Sequence, residues 1–273
     1  MRGGLRAAGT LANHGRIGYA PEWVHRNPVG GQRGCVRALG RLCVYQDCGK
    51  RLEPTVEISE LQWAPARSLH ARYEFCELDN GIRVYRSCAD VRQAGVRHVF
   101  CDRDGILNVD TGYPHRLSDL IIKEDTLRAL SSLRGTPHSF SIVTNQSGIG
   151  RGLFSWAEFE EFTGALLVAA KAYGVQFAAI VAAPLQPVDG ADYWRKPGPG
   201  MILLLANLLD LDLANCCFVG DRVSDMAAAR SAGVKSRILL SSSAPEGRQR
   251  MQDDLKYVQT SDLARAFREH FIA

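Results

Sequence analysis

From residue 96 onward, apolar runs of strand length alternate with longer stretches in which apolar residues recur every three or four positions. The runs are "VRHVFC" (96–101), "FSIVT" (140–144), "QFAAIV" (176–181), "CCFVG" (216–220) and "RILL" (237–240). The helical spacing between and after them predicts helices near 124–134, 155–173, 199–209, 223–232 and 261–271. The second is the best defined. Ser155 and Glu158 form a capping box, and Phe159, Phe162, Leu166 and Ala170 follow on one face, a stripe that belongs in a core. Alternation of this kind predicts an α/β fold, a doubly wound parallel sheet of right-handed βα units. Ligands of such sheets sit beyond the carboxyl ends of the strands, so functional residues are expected just after each run.

The first 95 residues follow a different pattern. Residues 1–34 are rich in Gly and Arg with little periodicity, and a flexible segment is expected there. Residues 35–95 are read as a small, partly β N-terminal region of unassigned role, and 96–273 as the α/β domain. Within the small region, "ARYEFCELDNGIRVYRS" (71–87) alternates on both sides of Asn80-Gly81. That dipeptide tolerates the positive φ angles of a tight turn and predicts a hairpin.

Composition changes this picture little. With 46% apolar and 23% charged residues, the 273-residue chain can bury a sizeable core. No apolar run reaches the roughly 20 residues of a membrane span. The start, "MRGGLRAAGTLANHGR", lacks the apolar stretch of a signal peptide. A cytoplasmic protein without membrane contact is expected. The eight cysteines (35, 43, 48, 76, 88, 101, 216 and 217) form no C-x-x-C pair, which favours reduced thiols over disulfides or a zinc site. Residues 1–95 hold 14 Lys and Arg against 9 Asp and Glu, whereas the remainder is nearly balanced at 19 against 20. Such a surplus suits nucleic acid or an anionic partner, but scattered arginines more often form a solvated surface.

The polar residues after the strands carry the candidate chemistry. Asp102 and Asp104 follow the first run, and burying two carboxylates side by side is costly unless a cation neutralises them. Mg²⁺ suits such a pair, because it binds one or two carboxylates together with phosphate oxygens. A simple Asp turn is the bland alternative. After the second run, "TNQSGIGRG" offers Thr144, Asn145, Ser147, the cation of Arg151, and glycines that let the backbone approach an anion. "RKPGPG" places Arg195 and Lys196 before a helix, where the lysine can neutralise a transferring phosphoryl group or simply form a basic turn. "GDRVSD" supplies Asp221 as a third carboxylate and Asp225 in the first turn of a helix. Each cluster has a structural explanation on its own, but all four fall in loops assigned to one crevice.

In this order "DRDG", "TNQSG", "RKPGPG" and "GDRVSD" resemble the four motifs of the haloacid dehalogenase (HAD) superfamily of aspartate-nucleophile phosphatases, over about residues 96–240. "DRDGILNVDTGYPH", "TNQSGIGRG" and "RKPGPGM" are most similar to the branch of heptose 1,7-bisphosphate 7-phosphatases and histidinol-phosphatases. The resemblance implies that Asp102 is the nucleophile and that Asp104 protonates the leaving oxygen and then activates water. It implies Mg²⁺ held by the carboxylates of Asp102 and Asp221 and by the backbone carbonyl of Asp104. Thr144, Asn145 and Lys196 would grip the phosphoryl oxygens. Asp110, Thr111, Gly112, Tyr113, Gln146, Ser147, Arg195 and Arg222 would border the substrate, and Arg151, Arg195 and Arg222 are candidates for a second phosphate. Asp225 would orient Lys196 or the helix start. The branch usually carries a loop of Cys and His zinc ligands, where this chain has Ala183, Leu185, Asp192 and Trp194, so no structural zinc is expected.

The implied activity is Mg²⁺-dependent hydrolysis of a phosphorylated small molecule, foremost a heptose bisphosphate. Histidinol phosphate is the alternative substrate. An inactive sugar-phosphate sensor, or nucleic-acid binding through the basic first third, are the readings from other classes. The intact Asp pair argues against the sensor.

Overall fold

The apolar runs are apolar throughout because the strands they form are covered on both faces. The computed structural model describes residues 36–38, 41–47, 52–56, 58–66, 69, 72–89, 97–134, 136–187, 193–241, 248–252 and 255–272. The expectation for residues 1–34 lies outside them. Strands β1 (Val36–Ala38), β2 (Arg41–Asp47) and β3 (Leu52–Thr55) make a small antiparallel sheet. A ten-stranded sheet contains β4 (Ala64–Pro65), β5 (Tyr73–Glu77), β6 (Arg83–Ser87), β7 (Arg97–Cys101), β8 (His138–Asn145), β9 (Phe177–Ala183), β10 (Cys216–Gly220), β11 (Ser236–Leu240), β12 (Arg248–Gln252) and β13 (Leu255–Thr260). The helices are α1 (Glu124–Ser131), α2 (Ser147–Gly150), α3 (Trp156–Ala172), α4 (Gly200–Leu209), α5 (Val223–Ala232) and α6 (Leu263–His270).

The strand order is β12-β13-β11-β10-β7-β8-β9-β6-β5-β4. The six strands from β13 to β9 are mutually parallel, and antiparallel strands flank them on both sides. The chain winds outward from β7 through β8 to β9, then returns to lay β10 on the other side of β7. This reversal opens a crevice at the carboxyl ends of β7, β8 and β10.

Alternate residues of the central strands feed two separate cores. Val99, Ile142, Cys217 and Val219 pack with Leu127 and Leu130 of α1, Phe159 and Leu166 of α3 and Phe267 of α6. Phe100, Val143, Cys216 and Phe218 pack with Met201 and Leu205 of α4 and with Met226 and Ala229 of α5. The predicted capping box of α3 is present, with Ser155 Oγ accepting from Glu158 N and Glu158 accepting in return from Ser155 N at 2.7 Å.

The Asn80-Gly81 hairpin is formed by β5 and β6, with Gly81 at φ +79°. The hairpin is continuous with the α/β sheet, because β6 pairs antiparallel with β9, Tyr85 opposite Ile180. Glu160 of α3 locks it in place. This buried carboxylate accepts from Tyr85 Oη and Arg83 Nη1, both at 3.1 Å, while the Arg83 guanidinium lies 4.8 Å from the Phe75 ring and 4.6 Å from that of Trp156. Cys76, Cys88, Cys101, Cys216 and Cys217 are free thiols. No described helix is long and apolar enough to cross a membrane.

Candidate active site

Three strand ends deliver the site. Asp102 follows β7, Thr144 and Asn145 close β8, and Asp221 follows β10. Asp102, Thr144 and Asn145 line a cleft of about 540 Å³. Gly105 turns the chain after Asp104 with φ +81°, and a Cβ there would overlap the Asp221 carboxylate, so only glycine lets that carboxylate come so close.

Buried charge organises the cleft. Lys196 Nζ lies 2.9 Å from Asp102 Oδ2, 2.7 Å from Asp225 Oδ1 and 2.9 Å from the Val143 carbonyl oxygen. Burial would push the Lys196 ammonium down, but the two carboxylates outweigh it and hold the group above its ordinary value. Burial pushes Asp102 up to about 7, with Lys196 pulling the other way and Asp225 adding to the rise. Asp221 is raised too, first by burial and then by Asp225. Asp104 goes the other way. Its burial is outweighed by the Arg103 charge and by hydrogen bonds from Arg103, Asn108 and Gln146, which hold the carboxyl below the usual range.

Asp102, Asp221 and Asp225 each bring a carboxylate oxygen within 4.8 Å of the others. Asp225 is already engaged, by Lys196 and by Arg222 N at 3.0 Å to Oδ2. Asp221 Oδ1 is buried without a hydrogen-bond partner, as a ligand oxygen awaiting a cation would be. The donor set therefore fits a small hard cation. The Asp104 carboxylate is turned away to Arg103, so a metal contact from that residue would come from its backbone carbonyl.

The other predicted residues line the same cleft, except Thr111 and Asp221. Asp110, Gly112, Tyr113, Asn145, Gln146, Ser147, Arg151, Arg195 and Arg222 line it with Asp102, Asp104, Thr144 and Lys196. Thr111 does not. Gly112 N donates to Asp110 Oδ1 at 2.9 Å, and this tight turn leaves Thr111 exposed at its outer corner. Tyr113 takes φ +56°, a strained conformation for a bulky residue. Asn145 trades both amide atoms with the Lys196 backbone at 3.1 Å, so it fixes the lysine loop onto the end of β8. Arg222 Nη2 meets Asp110 Oδ2 at 2.8 Å, and Arg195 Nη1 donates to the Leu185 carbonyl at 2.8 Å. Of the residues at the expected zinc-loop positions, Ala183 ends β9, Leu185 and Trp194 are half-buried, and Asp192 lies outside the described residues.

Asn108 and Arg103 were assigned no role from the sequence, although both lie in the matched DRDGILN stretch. Asn108 Nδ2 donates to Asp104 Oδ1 at 3.0 Å, and Arg103 is fully buried beneath the same carboxylate. The available signal was an arginine set between two aspartates, a placement that invites pairing.

A model of the HAD-hydrolase-like family matches residues 193–265. Over 153 residues the chain is 39% identical to the D-glycero-beta-D-manno-heptose-1,7-bisphosphate 7-phosphatase of Vibrio cholerae, covering 54% of this chain and 82% of that protein. Among solved structures, a HAD-like phosphatase from Mesorhizobium loti superposes with a TM-score of 0.60 at 30% identity, covering 68% of this chain and 91% of that one. The D,D-heptose 1,7-bisphosphate phosphatase of B. bronchiseptica, solved with magnesium and phosphate, gives a TM-score of 0.53 at 29% identity, covering 62% and 94%.

Proposed function

The chain belongs to the HAD family of phosphatases, and from that premise we propose that it removes the 7-phosphate of D-glycero-D-manno-heptose 1,7-bisphosphate through an aspartyl-phosphate intermediate. The observation that carries this reading is the Asp102 carboxylate at the end of β7, held by Lys196 at 2.9 Å, beside an Asp221 oxygen that has no partner.

Asp102 attacks phosphorus, with its orientation set by Lys196 and by Arg103 N, which donates to Oδ1 at 2.8 Å. Lys196 also offsets charge on the transferring group, and Asp225 holds Lys196 in position. Asp104 gives a proton to the leaving sugar oxygen and takes one from the water that hydrolyses the intermediate. Mg²⁺, held by Asp102, Asp221 and the Asp104 carbonyl, would neutralise the nucleophile and polarise the phosphate. Arg151, Arg195 and Arg222 supply cations around the cleft for a second phosphate, which favours a bisphosphate over a small monoester.

The test compares kcat/KM for heptose 1,7-bisphosphate, histidinol phosphate and other sugar phosphates, with Asp102→Asn as the control. The heptose bisphosphate is expected to lead, and the variant to lose on the order of 10⁴-fold or more in kcat. A lead for histidinol phosphate would overturn the sugar, and Mg²⁺-dependent release by the variant would overturn the nucleophile.

A further inference from the structure

Arg103 sits between the two reacting carboxylates in sequence, yet the steps above use only its backbone. Its side chain is fully buried, with the guanidinium 5.1 Å from the Phe159 ring and 4.7 Å from that of Phe162. A permanently charged group is costly in such a place unless its donors are used. Nε donates to Asp104 Oδ1 and Nη2 to Asp104 Oδ2, both at 3.0 Å, a two-pronged grip. Nη2 also reaches the Pro114 carbonyl at 3.1 Å and Gln146 Oε1 at 3.2 Å, while Nη1 reaches Thr163 Oγ1 at 3.2 Å. The fork that holds Asp104 is thus fastened to α3, to the loop after β8 and to the loop that carries Asp110 and Tyr113 into the cleft.

We propose that Arg103 is the positioning residue for proton delivery: it sets the orientation of the Asp104 carboxyl toward the leaving oxygen and ties that orientation to the substrate-side loop through Pro114. The proposal rests on the phosphatase reading. In the step concerned, an Asp102 oxygen forms a bond to phosphorus and the bond from phosphorus to the leaving oxygen breaks. The electron pair of that bond passes to the leaving oxygen, which takes the proton of the Asp104 carboxyl. A weakly basic leaving group such as nitrophenolate departs without that proton, whereas an alkoxide does not. Misplacing Asp104 therefore slows poor leaving groups selectively.

The experiment measures kcat/KM for a series of substituted phenyl phosphates and one alkyl phosphate with wild type, Arg103→Lys and Arg103→Met, plotted against leaving-group pKa. This quantity covers the steps up to leaving-group release, so hydrolysis of the intermediate does not enter. Both variants are expected to lose about 100-fold more with the alkyl phosphate than with p-nitrophenyl phosphate, steepening the slope. The slope does not depend on the fraction of active protein, so partial misfolding cannot imitate the result. If the methionine variant does not fold, the lysine variant, which keeps the charge but not the fork, carries the same comparison. A parallel loss across the series, with an unchanged slope, would overturn the proposal. No wild-type turnover of any member would instead overturn the phosphatase reading beneath it.

Discussion

At the scale of single residues, the cleft separates two neighbouring carboxylates by environment. Asp102 is buried against one lysine shared with Asp225 and is pushed up to about 7, whereas Asp104 is gripped by four donors and lies below the usual range. The rise at Asp102 has a thermodynamic consequence in the metal-free protein. In the unfolded chain this group titrates near 3.9, so between about 4 and 7 the folded protein keeps a proton that the unfolded chain has released. Folding stability from this group therefore falls as pH rises through that window and stays low above it. A cation that binds the ionised carboxylates offsets the deficit. Mg²⁺ is expected to raise the Tm more at about pH 8 than at about pH 5, measured by scanning calorimetry. An equal shift at both pH values would show that the cation binds elsewhere. The residue types at Asp102, Asp104 and Asp221 were legible because strand ends are marked by apolar runs and because D-x-D-G is a local pattern. The engagement of Arg103 and the fixing of Asn145 to the Lys196 backbone were not legible. Both depend on segments that meet only after the crossovers close, such as Thr163 of α3 reaching Arg103 and Lys196 reaching the end of β8.

At the scale of elements, legibility followed burial. Strands β7 to β11 were readable because both of their faces are covered, so they are written as continuous apolar runs. Strand β13, "LKYVQT", was not found. It buries Tyr257 and Val258 but carries Lys256 and Gln259, and its partner β12 is an antiparallel edge. The hairpin was readable from Asn80-Gly81, but its docking onto β9 was not, since nothing local in "GIRVYRS" names a partner strand far along the chain. The Glu160 contact makes that docking testable. Glu160→Ala removes the acceptor shared by Tyr85 and Arg83, though Arg83 keeps Glu77 at 2.7 Å. The expected loss is about 2 kcal/mol of stability by urea unfolding, together with faster hydrogen exchange in β5 and β6. A hairpin whose exchange did not respond would mean that it is held independently of α3.

At the scale of the whole molecule, the sheet order decides where chemistry can occur. The reversal between β8 and β10 around β7 brings four separated segments of the chain to one crevice, and no single segment has a complete site. The central claim is that Asp102 carries the phosphoryl group between the two half-reactions. An Asp104→Asn variant given p-nitrophenyl phosphate and Mg²⁺ should trap that state, because its leaving group needs no acid and the hydrolytic step has lost its base. Acid quenching followed by peptide mass mapping is expected to find the added phosphoryl mass on the peptide containing Asp102. A phosphoryl group on another residue, or nitrophenol released at wild-type turnover with no phosphorylated peptide, would contradict the account.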